Sequence, residues 1–150
     1  MEFLVNPQIR IILQLLLASV LGGIIGLERE YKKKEAGLRT YSLVSLGAAL
    51  FTIVGLESFF IFSGKNGIGF DPSRVIAAVV MGVGFIGAGL IIYREFRVEG
   101  LTTAAGLWVA AAVGVSVGVQ LFSTAVFVTF LAVGILAGLR LIEEKLFDKS

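Results

Sequence analysis

The chain has 150 residues, of which 57% are apolar and 16% charged, with a formal net charge of +2 and a mean hydropathy of +0.94. A soluble domain carries about 25% charged residues, so the composition excludes an ordinary water-soluble fold and predicts an all-α, polytopic membrane protein. Cysteine and histidine are both absent, which removes disulfides, thiolate nucleophiles, Cys/His zinc sites and imidazole proton relays.

Charge-free stretches at 11–27, 40–56, 75–93 and 100–139 divide the sequence. A span needs roughly 20 residues, or about 17 with snorkelling flanks. The first three stretches therefore hold one span each and the last holds two. The expected spans are 9–27, 40–60, 74–93, 101–118 and 121–139, in a single transmembrane domain over 1–150. Asn6-Pro7 and Asp71-Pro72 read as helix starts, each a capping residue followed by proline. Residues 1–10 hold one acid and one base and no small-residue cleavage site follows, so no cleaved signal peptide is expected.

After span one, the connection 28–39 carries Arg29, Lys32, Lys33, Lys34 and Arg39. With Arg94 and Arg97 after span three, and Arg140, Lys145 and Lys149 in the tail, ten of the 13 basic residues fall on one side. Arg10, Lys65 and Arg74 fall on the other. The positive-inside rule then places the N-terminus outside and the C-terminus in the cytoplasm of a bacterial inner membrane. Lys32–Lys34 mark the inner face, where they could also meet anionic lipid.

Gly26-Leu27, Gly37-Leu38 and Thr40 recur 63 positions later as Gly89-Leu90, Gly100-Leu101 and Thr103; Ala48 and Ala49 fall on Ala111 and Ala112 at the same offset. Two repeated helical hairpins plus a fifth helix explain this, with helices 1–2 and 3–4 as parallel repeats. Chance matching among abundant Gly, Ala and Leu is the alternative. The chain holds 19 glycines, against about ten at average usage. Gly22 and Gly26 in span one, with Gly82, Gly84, Gly87 and Gly89 in span three, have spacings suited to close helix packing and a homodimer. A glycine-lined path or broken helix is the alternative. The string Gly82-x-Gly84-x-x-Gly87 matches a dinucleotide fingerprint, but no strand–turn–helix surrounds it.

Polar residues near the membrane faces are the candidate functional residues. Glu28 and Arg29 end span one, Arg39 and Thr40 begin span two, and Thr102 and Thr103 begin span four, all at one level. They read either as a polar pocket at the cytoplasmic mouth or as caps and interfacial anchors. Arg39 opposes the dipole of its own helix and is expected within reach of Glu28 or Glu30. Asp71 and Arg74 open span three on the outer side, where capping accounts for Asp71. Glu57 near the outer boundary faces either a site or headgroups beside Phe59, Phe60 and Phe62. Trp108 is expected to pack against other helices. No nucleophile–base pair or metal cluster can be assembled, so the chain is not read as an enzyme; no cofactor is expected and nucleic-acid binding has no support. Whether any residue binds metal is left open.

The strings GGIIGLERE (22–30), AGLRTYSLVSLGAALF (36–51), DPSRV (71–75), GVGFIGAGLI (82–91) and GLTTAAGLWVAAAVG (100–114) together resemble the MgtC/SapB family of bacterial membrane proteins. Ala78 departs from a frequent glutamine and Met81 from a small hydroxyl residue. The resemblance covers the membrane domain only, without the soluble C-terminal domain of virulence-associated members. It implies a role in adaptation to low magnesium, or in ion, phosphate or ATP homeostasis, exerted by binding other membrane proteins, the F-type ATP synthase among them. It also implies functional weight at Glu28, Arg29, Arg39, Asp71, Arg74, Thr102, Thr103 and Trp108. A small magnesium, cation or solute transporter is the alternative.

Overall fold

The computed structural model describes residues 6–62, 71–94 and 96–139. Helices α1 (Pro7–Tyr31), α2 (Leu38–Phe62), α3 (Pro72–Ala88), α4 (Leu101–Gly118) and α5 (Phe122–Gly134) follow in order, with a β-hairpin, β1 (Ile92–Arg94) and β2 (Arg97–Glu99), between α3 and α4. A π-helical segment, Ile135–Leu139, continues α5. Residues 1–5, Lys65, Arg140, Lys145 and Lys149, which enter the signal-peptide reading and the charge count, lie outside the described residues.

Local chemistry sets the helix limits. The Asn6 Oδ1 accepts from the Gln8 amide at 3.0 Å, and the Asp71 Oδ1 from the Ser73 amide at 2.9 Å, each with proline at the first helical turn. These caps satisfy amides that have no intrahelical partner. Helix α1 ends with Lys33 at φ 52°, the Lys34 amide reaching the Arg29 carbonyl at 3.0 Å. Helix α4 ends the same way: Gln120 stands at φ 66° and the Leu121 amide bonds the Ser116 carbonyl at 2.8 Å. Both are left-handed C-terminal caps of the Schellman type. The second makes a tight turn at Gly118-Val119-Gln120, between the expected spans 101–118 and 121–139.

Span three departs from expectation. Its helix stops at Ala88, not 93, because residues from Ile92 onward leave the helix to pair as a hairpin with Tyr93 opposite Val98. Gly100 returns the chain to α4 at φ 86°, where a side chain would strike the Leu90 carbonyl. Among the described residues, four helical segments are long and apolar enough to cross a membrane: α1, α2, α4 and α5 with its π-helical end. The fifth, α3, is 17 residues long.

The packing is that of a membrane bundle. Many large apolar side chains face outward, among them Leu16, Leu43, Phe51, Phe85 and Phe127, while the core sets Tyr41, Ile25 and Leu107 among Ala18, Ala49, Ala110, Ser45, Thr52 and close-set glycines. Lipid is as apolar as leucine, so backbone proximity, not burial of large side chains, holds such helices together. Helix α4 packs against all four others and α2 against α1, α3 and α4. Positions 106, 110, 114 and 118 form a stripe of Gly and Ala along α4. A Cβ on Gly106 would meet the Tyr41 hydroxyl at 2.5 Å; one on Gly118 would meet the Thr52 Cβ at 2.8 Å. Gly22 and Gly26 of α1 approach α2 equally closely at Ser45 and Tyr41.

Within the chain, the third-span glycines divide: Gly87 packs on α4, whereas Gly82 and Gly84 face open space. A Cβ on Gly82 or Gly84 would meet nothing within 4 Å, one on Gly87 would touch Ala104 at 3.5 Å, and Gly89 is the C-cap of α3. The stripe that seals the core is on α4. Trp108 is also corrected: it is 52% exposed, because Gly106, Leu107 and Ala110 take the inward face of its turn.

Candidate functional site at the charged end of the bundle

The end of α1, the connection 32–37, β2, the start of α4 and the π-helical end of α5 enclose a cavity of about 730 Å³. Arg29, Lys33, Lys34, Glu35, Glu99 and Thr103 supply its polar lining. The α1 cap turns Lys33 and Lys34 back over the helix end, and Gly100 sets the α4 N-terminus against them.

Arg29 is the most buried cation among the described residues, only 3% exposed, and pairs through its Nε and Nη2 with the Glu28 Oε2. A guanidinium removed from water in this way requires a carboxylate partner. The other Glu28 oxygen is buried and makes no hydrogen bond among the described residues. Three segments are tied together beside this pair. The Tyr41 hydroxyl of α2 donates to the Thr103 carbonyl at 2.9 Å, and the Thr103 hydroxyl donates to the Glu35 Oε2 at 2.9 Å. Tyr41 is fully buried and fits because Gly106 lacks a side chain. The Glu35 backbone amide, and then the Thr103 hydroxyl, hold its carboxyl below the ordinary glutamate range. A carboxylate near the positive end of α4 is also favoured by the helix dipole.

Of the residues singled out from the sequence, Arg29, Thr102 and Thr103 line this cavity, with Glu28 behind Arg29. Arg39 is not brought to Glu28 or Glu30: it is exposed and forms no ion pair among the described residues. Glu28 is turned to Arg29, and Glu30 accepts from the Leu38 amide at 3.1 Å across the α1–α2 turn. Thr40 lines a separate groove between α2 and α3. Asp71 and Arg74 are exposed at the opposite end of α3, where Asp71 serves as the N-cap; its carboxyl is lowered by the Ser73 hydrogen bonds.

Sequence reasoning passed over Tyr41, Glu35 and Gln14. Gln14 is 4% exposed, and its Nε2 donates to the Val117 carbonyl of α4 at 3.0 Å. Each carried a readable signal: Glu35 is an acid closing a run of three lysines, Gln14 is the one amide inside span one, and Tyr41 stands beside Thr40 in the repeat. Among the described residues, no group of three or more Asp and Glu side chains could hold a metal ion. The arrangement suits recognition of a polar or charged group at the bundle end.

The match to known sequences extends over the whole bundle. The chain is 40% identical over 139 residues to a protein of Escherichia coli K12 named "Putative magnesium transporter YhiD", covering 93% of this chain and 65% of that protein. It is 45% identical over 123 residues to "Protein MgtC" of Brucella abortus strain 2308, covering 82% and 48%. It is 44% identical over 115 residues to "Uncharacterized protein slr0014" of a Synechocystis species, covering 77% and 46%. The chain thus spans about half to two thirds of the length of the curated relatives it matches. No solved structure matches it significantly. The family model described as "MgtC family" matches residues 15–145, nearly the whole described bundle, and the chain belongs to the MgtC family.

Proposed function

We propose that the protein is a non-enzymatic regulator in the bacterial cytoplasmic membrane, acting in adaptation to low magnesium or in ion, phosphate or ATP homeostasis by binding other membrane proteins. The magnesium connection rests on the family and on the names its relatives carry. One observation carries the choice of regulator over transporter: the polar cavity is confined to one end of the helices, and the middle of the bundle is sealed. At mid-depth α1, α2 and α4 approach through Ala18, Gly22, Ser45, Ala49, Ala110 and Gly114. Of the buried polar groups, Gln14 bonds the Val117 carbonyl, Thr52 the Ala48 carbonyl and Thr129 the Ala125 carbonyl, while Ser45, wedged against Gly22 and Gly114, has a hydroxyl that makes no hydrogen bond among the described residues. An alternating-access carrier needs polar groups around a hydrated midplane site, and the lining described here supplies none.

In this reading α3 is the fifth span, its 17 residues being near the lower limit for crossing, and the Arg29–Arg39 end faces the cytoplasm. The exposed α3 face around Gly84 serves association, with a second copy of the chain or with a membrane partner such as the F-type ATP synthase. The printed name of the Escherichia coli relative favours transport as the second reading. Purified protein in sealed vesicles separates the two. The regulator reading expects no saturable magnesium or proton flux. Robust flux that Asp71→Ala or Arg39→Ala abolishes would establish the transporter. Gly84→Leu should lower the copy number or the capture of a membrane partner; an unchanged assembly would remove α3 from this role.

A further inference from the structure

Helices α2 and α3 approach most closely at one end, and farther along they meet only at the floor of the space between them. A Cβ on Gly55 would stand 3.0 Å from the Val75 side chain, whereas Gly47 and Gly82, about two turns away, have nothing within 4 Å. The helices therefore splay and leave an apolar groove of about 620 Å³ open to the membrane. Ala48 and Val83, both buried, form its floor against Ala111 of α4; Leu43, Phe51 and Ile86 are its exposed rim. At its open end stands Thr40, and Arg39, one helical turn before Leu43, is an exposed cation with no carboxylate partner among the described residues.

We infer that this groove holds one anionic phospholipid, its acyl chain along Gly47 and Gly82 and its headgroup phosphate against Arg39. Length supports this occupant. From Thr40 to Phe51 the groove follows eleven residue steps of α2, about 16 Å at 1.5 Å per residue. That is roughly half of a 30 Å hydrocarbon core, the depth of one leaflet. Charge supports it as well. Arg39 occupies the first turn of α2, where the helix dipole disfavours a cation and favours an anion, so a phosphate there satisfies both the guanidinium and the helix end. A helix from a second copy fits less well. It is about 10 Å wide, it would meet the Gly55–Val75 closure partway across the membrane, and it would leave Arg39 unneutralised.

The test is native mass spectrometry of the full chain released from nanodiscs containing equal phosphatidylglycerol and phosphatidylcholine. The wild-type chain should retain one phosphatidylglycerol, preferred about fivefold, the factor expected of one cation near a lipid surface. Arg39→Gln should reduce that preference to about one while a lipid remains bound. Gly47→Leu with Gly82→Leu fills space that no other group occupies; the bundle should fold and lose the retained lipid. Gly134→Leu, on α5 and equally open, should behave as wild type. Full lipid retention by the groove-filled variant overturns the assignment, as does an unchanged lipid preference in Arg39→Gln. A fall from two copies to one in the groove-filled variant, with lipid retention unaltered, also overturns it and makes the groove a contact between chains.

Discussion

Gly114 and Gly82 are both helical glycines in apolar sequence, yet the same substitution has opposite signs at the two positions. A methyl group on Gly114 would overlap the Ser45 carbonyl of α2 and stand 3.0 Å from the Ala48 Cβ. The obstacle is backbone in the centre of the bundle, so relief requires α2 and α4 to separate. Overpacking of this kind costs about 1–3 kcal/mol, and a clash with main chain belongs at the upper end. Replacing glycine by alanine in a helix returns roughly 0.8–1 kcal/mol, leaving Gly114→Ala about 2 kcal/mol less stable than wild type. At Gly82 nothing opposes the methyl group and only the helical gain remains, so Gly82→Ala should be about 0.5–1 kcal/mol more stable. Reversible unfolding in mixed micelles, titrated with a denaturing detergent and followed by far-ultraviolet circular dichroism, measures the difference of about 3 kcal/mol between them. Equal effects, or a stable Gly114→Ala, would refute the account of α4 as the sealing helix.

Trp108 is the only tryptophan and is half exposed, so brominated lipids should quench most of its fluorescence; protection from quenching would show that another chain covers it. Gln120 bears the strain of a left-handed residue at φ 66°, and Gln120→Gly should raise stability by about 1 kcal/mol, the penalty L-residues meet there, measured as a shift in the same unfolding midpoint. Because the folded Glu35 carboxyl titrates below its ordinary value of 4.5, its contribution to stability is present above that value and is lost as the pH falls through the lowered folded one. Glu35→Gln should therefore flatten the acid limb of a stability–pH profile, and an unaltered limb would mean that the Thr103 contact does not persist in solution.

How much of this was legible in the sequence depends on which physical signal marks each feature. The helices α1, α2, α4 and α5 follow from charge-free length, and the Asn6 and Asp71 caps and the turn at Gln120 follow from local residue chemistry. The end of α3 does not. Gly89, Leu90 and Ile91 are apolar enough to extend a span, and the pairing of Ile92–Arg94 with Arg97–Glu99 that ends it is a tertiary choice. The buried faces were hidden for a different reason. With lipid outside, hydrophobicity no longer distinguishes inward from outward, and only the size of side chains does. The fourfold spacing of Gly106, Ala110, Gly114 and Gly118 carried that information, whereas the denser glycines of α3 drew attention to a face that the chain leaves open. At the charged end, Arg29, Thr102 and Thr103 converge as their common level suggests. Arg39 does not join them, because each nearby carboxylate already has a partner: Glu28 has Arg29, and Glu30 has the Leu38 amide.

The same contrast separates the fixed from the available parts of the molecule. Helix α2 is locked on two sides, by Gly22 and Gly26 of α1 and by Gly106, Gly114 and Gly118 of α4, where backbones approach too closely for any added atom. On its third side it meets α3 chiefly at Gly55–Val75 and beside Ala48 and Val83, and the rest of that face is open. Helix α3 is held instead by α4, where Val83 lies against Ala111 and Gly87 against Ala104. Helix α3 also runs directly into the hairpin and Gly100, whose left-handed turn delivers the α4 N-terminus to the polar cavity. Helix α3, the hairpin and Gly100 thus connect the open groove to the segment that bounds Glu99, Thr102 and Thr103. The open face of α3 and the charged cavity are therefore two ends of one continuous segment, and the proposed regulator reading needs no pore between them.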